Sequence, residues 1–185
     1  QISVFPMFGT LLSIYRDREF TYADDYDFAL KDGHELDFEL ISKMEKLDVF
    51  LIGYSVVGSE LVELSFEFNS IRIDLFKLDY SSGFTIHRCP NFRKERANIV
   101  YSNVVQKNYS TCFIVKYNKI ELSKDIHWGL DIPLNCEDIF INHYGLDWQT
   151  PKKNNFIDFE KYEFMNTKSY IVEGEHKRLL ELLNK

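Results

Sequence analysis

Asp25 and Asp27 stand two residues apart in the run YADDYDFAL, Tyr22 to Leu30, whose other residues suit a β-strand. Side chains two apart on a strand share a face, with Cα atoms roughly 6.6 Å apart at a rise of about 3.3 Å per residue. The two carboxylates then point one way while Tyr26 and Phe28 pack the other way. Such a pair suits a hard divalent cation, because Mg²⁺ takes oxygen ligands and is usually held by one or two carboxylates together with substrate phosphates. The same acids also fit a solvated turn at a strand entrance, and both readings stand on local sequence alone. Asp24 falls outside the alternating pair and reads as a solvated neighbour.

A third acid, Asp74, lies between Ile73 and Leu75 in the alternating run SIRIDLFKL. An aspartate among large apolar residues must be solvated at a cleft, paired or metal-bound, since an unpaired buried carboxylate is costly. Arg72 shares its face by the two-residue period and is the partner if Asp74 is structural. Order ties these acids together. Gly9-Thr10 reads as a turn and helix start, the Asp-x-Asp strand follows, and the isolated Asp74 comes on a later strand. Free amides at a helix start bind phosphate, and three carboxylates can hold the metal ions that bridge to it. The combination points to phosphoryl or nucleotidyl transfer.

The positioning elements read as mixed α and β. GTLLSIYRDREF has Leu11, Leu12, Ile14 and Tyr15 at helical spacing, and YDFALK reads as a strand. In DGHELDFELISKMEKL, Leu36, Leu40, Met44 and Leu47 predict an amphipathic helix. VFLIGYSVV, LVELSFEF and SIRIDLFKL predict consecutive strands joined through Gly58-Ser59 and Asn69-Ser70. FTIHRC and STCFIVKY read as further strands, whereas NFRKERAN gives no clear pattern. LDIPLNCEDIFINHYGLDW carries a break at Pro133, then a short helix from Glu137 to His143 that stops at Gly145. EGEHKRLLELLNK predicts a last helix. Helices packed on a mixed sheet are expected.

The chain has 185 residues, 45% of them hydrophobic and 16% aromatic, which is enough for one sizeable core and short for two. We expect one domain spanning residues 1–185, and Gln1 in place of Met leaves room for a fragment of a longer protein. A net charge of −7 argues against gripping a nucleic-acid backbone through bulk electrostatics. Cys89, Cys112 and Cys136 are widely spaced with no CxxC pair, which predicts reduced thiols. His87 and Cys89 share a strand face but are too few for a structural zinc site. No apolar run approaches the roughly 20 residues of a membrane span and no signal peptide is visible, so a cytoplasmic chain is expected, peripheral to a membrane if anchored by parts outside it.

The order of motifs resembles the nucleotidyltransferase fold of polymerase-β-like enzymes, with FGT, DYD and IDL as counterparts of its glycine turn, Asp-x-Asp strand and third acid. More narrowly, FGTLLSIYRDREFTYADDYDFAL resembles the signature of the LicD/fukutin family, approximately GTLLGxxRxxxFIPWDxDxD. SIRIDLFKLD is similar to that family's strand ending F-I-D-I-F-P-L-D, and LDIPLNCEDIFINHYGLDWQTP to its Tyr-Gly-x-x-Trp-x-x-Pro pattern. The three segments fall in family order from Phe8 to Pro151. Tyr22-Ala23 replaces the family's Trp, the stretch from Phe20 to Asp27 is one residue shorter, and Leu75-Phe76-Lys77 replaces Ile-Phe-Pro.

The resemblance implies an α+β, polymerase-β-like fold with a mixed sheet flanked by helices. It implies a metal-dependent transferase moving a substituted phosphate, such as phosphocholine or ribitol phosphate, from a CDP-linked donor to a glycan hydroxyl, as in capsule, lipopolysaccharide or teichoic acid assembly. Carried over by position, Asp25, Asp27 and Asp74 would bind Mg²⁺ or Mn²⁺, with Asp74 as general base. Gly9 and Thr10 would cradle donor phosphate, and Arg16 would face the same phosphates or brace the acidic strand. Tyr144 and Trp148 read either as stacking residues or as a helix stop and a core aromatic, Glu137 and Asp138 as helix-start acids, and His127 as an acceptor-site candidate. Two other functions remain open: a nucleotidyltransferase releasing pyrophosphate, and a non-catalytic glycan- or nucleotide-binding domain of a larger polymerase.

Overall fold

The computed structural model describes residues 2–19, 25–93, 98–152 and 157–184; Asp24, Tyr22-Ala23 and the middle of NFRKERAN lie outside them. The chain opens with β1 (Val4–Pro6) and α1 (Phe8–Leu12), which continues as a π-helical turn over Ser13–Asp17. Next come β2 (Asp25–Leu30), α2 (Phe38–Glu45), β3 (Phe50–Val57), β4 (Glu60–Phe68), β5 (Ile71–Phe76), β6 (Leu78–Tyr80) and β7 (Phe84–Pro90). Then follow β8 (Asn98–Tyr101), β9 (Val104–Tyr109), β10 (Cys112–Asn118), β11 (Leu122–Lys124), β12 (Asp131–Pro133) and α3 (Cys136–Tyr144). A 3₁₀ turn at Phe159–Lys161, β13 (Glu163–Met165), β14 (Ser169–Gly174) and α4 (His176–Leu183) complete the order.

Eight strands form one mixed sheet in the order β1-β2-β5-β4-β3-β14-β9-β8, in which β2 and β5 run parallel and the other neighbours antiparallel. The antiparallel sheet β13-β10-β7-β6 packs nearby, and β11 pairs with β12. FTIHRC and STCFIVKY therefore do pair, but in this second sheet. The expected mixed α and β architecture is present, with more strand than the sequence indicated.

Strand alternation sends apolar residues of the large sheet to two separate cores. Phe28, Leu30, Leu64, Phe66, Leu75 and Val172 face α2 and α4, whose Leu40, Ile41, Met44 and Leu179 cover them. On the opposite face Ala29 and Phe76 meet Phe8 and Leu11 of α1, Ile139 and Phe140 of α3, and Phe113 and Val115 of the second sheet. The α2 helix begins later than the Leu36 periodicity implies, because Asp37 caps it by accepting from the Leu40 N–H at 2.8 Å. Leu47 falls beyond its end and is exposed. Gly145, with φ 90°, ends α3 as expected.

Asn69 and Ser70 join β4 to β5 with φ of 50° and 63°, the pair of left-handed residues that a two-residue hairpin demands. Glycine adopts this conformation without the penalty a side chain incurs. Ser70→Gly is accordingly expected to stabilise the fold by about 1 kcal/mol, read as a raised midpoint of urea unfolding.

Candidate active site

Asp27 is fixed by the start of α1. Its backbone N–H donates to the Thr10 hydroxyl at 2.7 Å, and its carbonyl accepts from the Met7 N–H at 3.0 Å. Its carboxylate Oδ2 accepts from the Gly9 N–H at 3.2 Å. Phe8 adopts φ 43°, a strained value for an aromatic residue, and its ring is held against Phe76 and His143 at centroid distances of 5.2 and 4.3 Å. Thr10 is only 5% exposed, so its hydroxyl braces the acidic strand. Gly9 reaches the cleft with its amide directed at Asp27.

Parallel pairing of β2 and β5 sets Asp27 directly beside Asp74, and Asp25 beside Arg72. The row continues across the sheet through Ser65, Gly53 and Glu173, all on one face. Asp74 is 6% exposed, and both its oxygens accept from Arg72 Nε at 2.9 Å. Arg72 also donates through Nη2 to Ser65 Oγ at 2.8 Å and lies 3.6 Å from Glu63 and 3.8 Å from Glu173. Lys107 pairs with Glu173 at 2.7 Å.

Glu63, which sequence reasoning did not single out, joins this group. In LVELSFEF it looks like any solvent-facing alternate of a half-buried strand. Only the pairing of β4 with β3 and β5 sets it opposite Ser55 and Phe76, on the carboxylate face. Ser55 donates to it at 2.7 Å. The available signal was Glu63 and Ser65 at strand spacing, one hairpin before Asp74.

Burial and mutual repulsion disturb these acids. Desolvation, followed by the charges of Asp74 and Asp25, pushes Asp27 well above the usual carboxylate range against the Gly9 hydrogen bond. Desolvation also raises Asp74, while Arg72 opposes the shift. Glu63 is pushed up to about 7 by desolvation and then by Asp74, with the Ser55 bond opposing. Among the described residues no three His, Cys, Asp or Glu side chains stand in metal-holding proximity as placed. The donor set nonetheless fits Mg²⁺ or Mn²⁺: it is all carboxylate oxygen, under-compensated, and fixed on rigid strands.

Two cavities meet at Gly9 and Tyr144. One, about 360 Å³, has Asp25, Asp27 and Glu63 on its wall together with His87, Phe8 and Phe92. The other, about 270 Å³, is lined by Arg16, Trp148 and Lys152. Arg16 grips Asp17 through two hydrogen bonds of 2.7 and 2.9 Å and reaches the Trp148 carbonyl at 3.5 Å, so it faces this second cavity. Asp74 lines neither cavity. It lies beside Asp27 in the same row, with its carboxylate held by Arg72, whereas Glu63 of that face does line the larger cavity.

Tyr144 and Trp148 are both buried in the core with α1 and α3, as the helix-stop and core-aromatic reading has it, and both also line the smaller cavity. Glu137 accepts from the Tyr15 hydroxyl at 3.2 Å and Asp138 from the Asn118 N–H at 2.8 Å, so these helix-start acids also tie α3 to its neighbours. His127 is exposed, edge-on to Trp128, and outside both cavities. Cys89, Cys112 and Cys136 are free thiols, of which Cys89 reaches the larger cavity.

No family model, curated protein or solved structure matches the chain.

The raised acids have a consequence for stability. A carboxyl whose folded pKa exceeds its unfolded value favours folding when protonated, and that contribution is lost as pH rises through the folded pKa. Unfolding midpoints in urea are expected to fall between about pH 5 and about pH 8, with Glu63 titrating near 7. Glu63→Gln should flatten the slope, and millimolar Mg²⁺ should recover stability at the alkaline end only if Asp25 and Asp27 are intact. Arg72→Met should destabilise by about 3 kcal/mol because it strands Asp74, and Arg72→Met/Asp74→Asn should recover most of that loss.

Proposed function

We propose that this protein is a metal-dependent phosphotransferase of LicD-like type, built on a nucleotidyltransferase-like arrangement, that moves a substituted phosphate from a CDP-activated donor to a glycan hydroxyl. One observation carries this reading: under-compensated carboxylates from separate strands line a cleft that adjoins, at Gly9, a second cavity bearing Arg16 and Lys152. The order of α1, the Asp-x-Asp strand and the parallel Asp74 strand supports it as well.

In this reading Arg16 and Lys152, which pair with Asp17 and Asp147 in the protein alone, turn to the donor's pyrophosphate in their cavity, whose wall also carries Trp148 and Tyr144 for the nucleotide. Asp25 and Asp27, supported by Asp74, would hold Mg²⁺ or Mn²⁺, which when bound neutralises the phosphates and the departing CMP. The acceptor hydroxyl approaches from the larger cavity. Glu63, with a pKa near 7 and a place on the cavity wall, takes the hydroxyl proton as general base. The acceptor oxygen bonds to the phosphorus nearer the donor alcohol, the bond from that phosphorus to the bridging oxygen breaks, and CMP leaves. Arg72 opposes the burial that raises Asp74's affinity for a proton, and keeps the row aligned.

The test is a screen of the purified protein with Mg²⁺ or Mn²⁺, CDP-choline, CDP-ribitol and CDP-glycerol, with and without glycan acceptors, reading released CMP. Acceptor-dependent CMP release is expected, with Glu63→Gln lowering kcat by roughly 10²-fold or more and Asp27→Asn abolishing turnover. Pyrophosphate in place of CMP would assign nucleotidyl transfer. The grip of Arg72 on Asp74 favours a second reading, a binding domain without catalysis. That reading takes precedence if donor affinity survives both EDTA and Asp25→Ala while no donor is consumed.

A further inference from the structure

Both cations of the smaller cavity are held by carboxylates of the same chain. Arg16 donates from Nε to Asp17 Oδ1 at 2.7 Å and from Nη2 to Asp17 Oδ2 at 2.9 Å, the side-on fork by which a guanidinium grips a carboxylate or a phosphate. Its Nη1 donates to the Trp148 carbonyl at 3.5 Å, which ties the side chain to the cavity wall. Adjacent residues of a helix do not ordinarily face each other. This fork closes at the end of the π-helical turn, where Asp17 is followed by Arg18 in the left-handed region at φ 58°. Lys152 donates to Asp147 Oδ1 at 2.7 Å.

The Arg16 hydrogen bonds hold Asp17 below the usual carboxylate range, and the Lys152 bond does the same for Asp147, so both acids are charged at neutral pH. Their side chains are 36% and 61% exposed, and an ion pair this open to water adds little to stability. Either carboxylate is therefore readily exchanged for another anion that offers the same oxygens. The two pairs differ in what exchange requires. A guanidinium fork has fixed directions, so two phosphate oxygens enter it only when Asp17, itself on the cavity wall, leaves. An ammonium carries three rotatable donors, and Lys152 can hold Asp147 and a phosphate oxygen together.

We propose that Asp17 is a positioning residue of the smaller cavity, an internal counter-ion on the Arg16 fork that an arriving phosphate group displaces and that returns as the phosphate departs. It thereby sets how tightly the cavity holds a phosphate ligand. That the ligand is a nucleotide donor rests on the transferase reading, whereas the exchange of Asp17 for phosphate does not. Within that reading Asp17 also favours departure of CMP, because the fork regains a carboxylate when the nucleotide leaves.

The experiment measures binding of inorganic pyrophosphate to the full chain and its variants by isothermal titration calorimetry, without metal or donor. Pyrophosphate is expected to bind, and Asp17→Asn to tighten it about fivefold, the size of one exposed ion pair. Asp17→Glu, which restores the carboxylate, should return the affinity toward its original value, and Asp147→Asn should give a smaller gain than Asp17→Asn. In the Arg16→Gln background the Asp17→Asn gain should vanish, whereas a negative charge acting only at a distance would give the gain in both backgrounds. Urea midpoints establish that each variant is folded. An unchanged affinity in Asp17→Asn overturns the proposal, as does a gain that persists beside Arg16→Gln or a failure of every form to bind pyrophosphate. Acceptor-dependent CMP release with no tightening by Asp17→Asn leaves the transferase reading standing and removes this one. Tightening with no donor consumed does the reverse.

Discussion

The side-by-side placement of Asp27 and Asp74 on parallel strands is the constraint around which the rest of this face is arranged. Two carboxylates at adjacent strand positions repel each other, and burial removes the water that would screen them. The protein answers with Arg72 on Asp74, the Gly9 amide on Asp27, and serine hydroxyls on Glu63 and Arg72. These partners lessen the repulsion without cancelling it, since Asp27, Asp74 and Glu63 all keep raised affinities for protons. Desolvation is the larger cause in each case, so these carboxyls take up a proton more readily than exposed ones do.

The apolar framework makes that arrangement affordable. One face of the large sheet is sealed by α2 and α4, and the other by α1, α3 and the second sheet. The second core meets β2 and β5 at Ala29 and Phe76, one alternate position beyond Asp27 and Asp74. The carboxylates consequently sit where the packed layer ends and the cleft begins. Phe8 links the two, since its ring belongs to the core and contacts both imidazoles of the cavity wall while its backbone starts α1. The left-handed conformation of Phe8 is a local cost that the surrounding ring contacts offset.

Division of the site into one cavity that carries the Arg16–Asp17 and Lys152–Asp147 ion pairs and another with Asp25, Asp27 and Glu63 on its wall follows from the same elements. The π-helical turn carries Arg16 away from β2 and toward the loop after α3, where Trp148 and Lys152 lie. Gly9 and Tyr144 belong to both cavities, so a group bridging them would lie against α1 and α3 together.

Much of this was legible in the sequence because the signals were local. Alternation placed Asp25 and Asp27 on the face opposite Phe28, the Asn69-Ser70 turn fixed the β4–β5 hairpin, and the Arg72–Asp74 pair follows from a two-residue period. Long-range pairing was not legible. β14 in SYIVEG is short and sits between β3 and β9, so its membership depends on partners more than a hundred residues from one end to the other of that trio. Glu63 was hidden for the same reason, and His87 was legible only as a strand neighbour of Cys89. Each is an ordinary alternate of a strand until neighbouring strands decide which side is buried. Sequence by itself determined which residues are acidic, apolar and turn-forming, and thereby the local elements. Tertiary structure alone decided which carboxylates became neighbours and how far each was buried, because strand register and desolvation arise only once distant segments pack together.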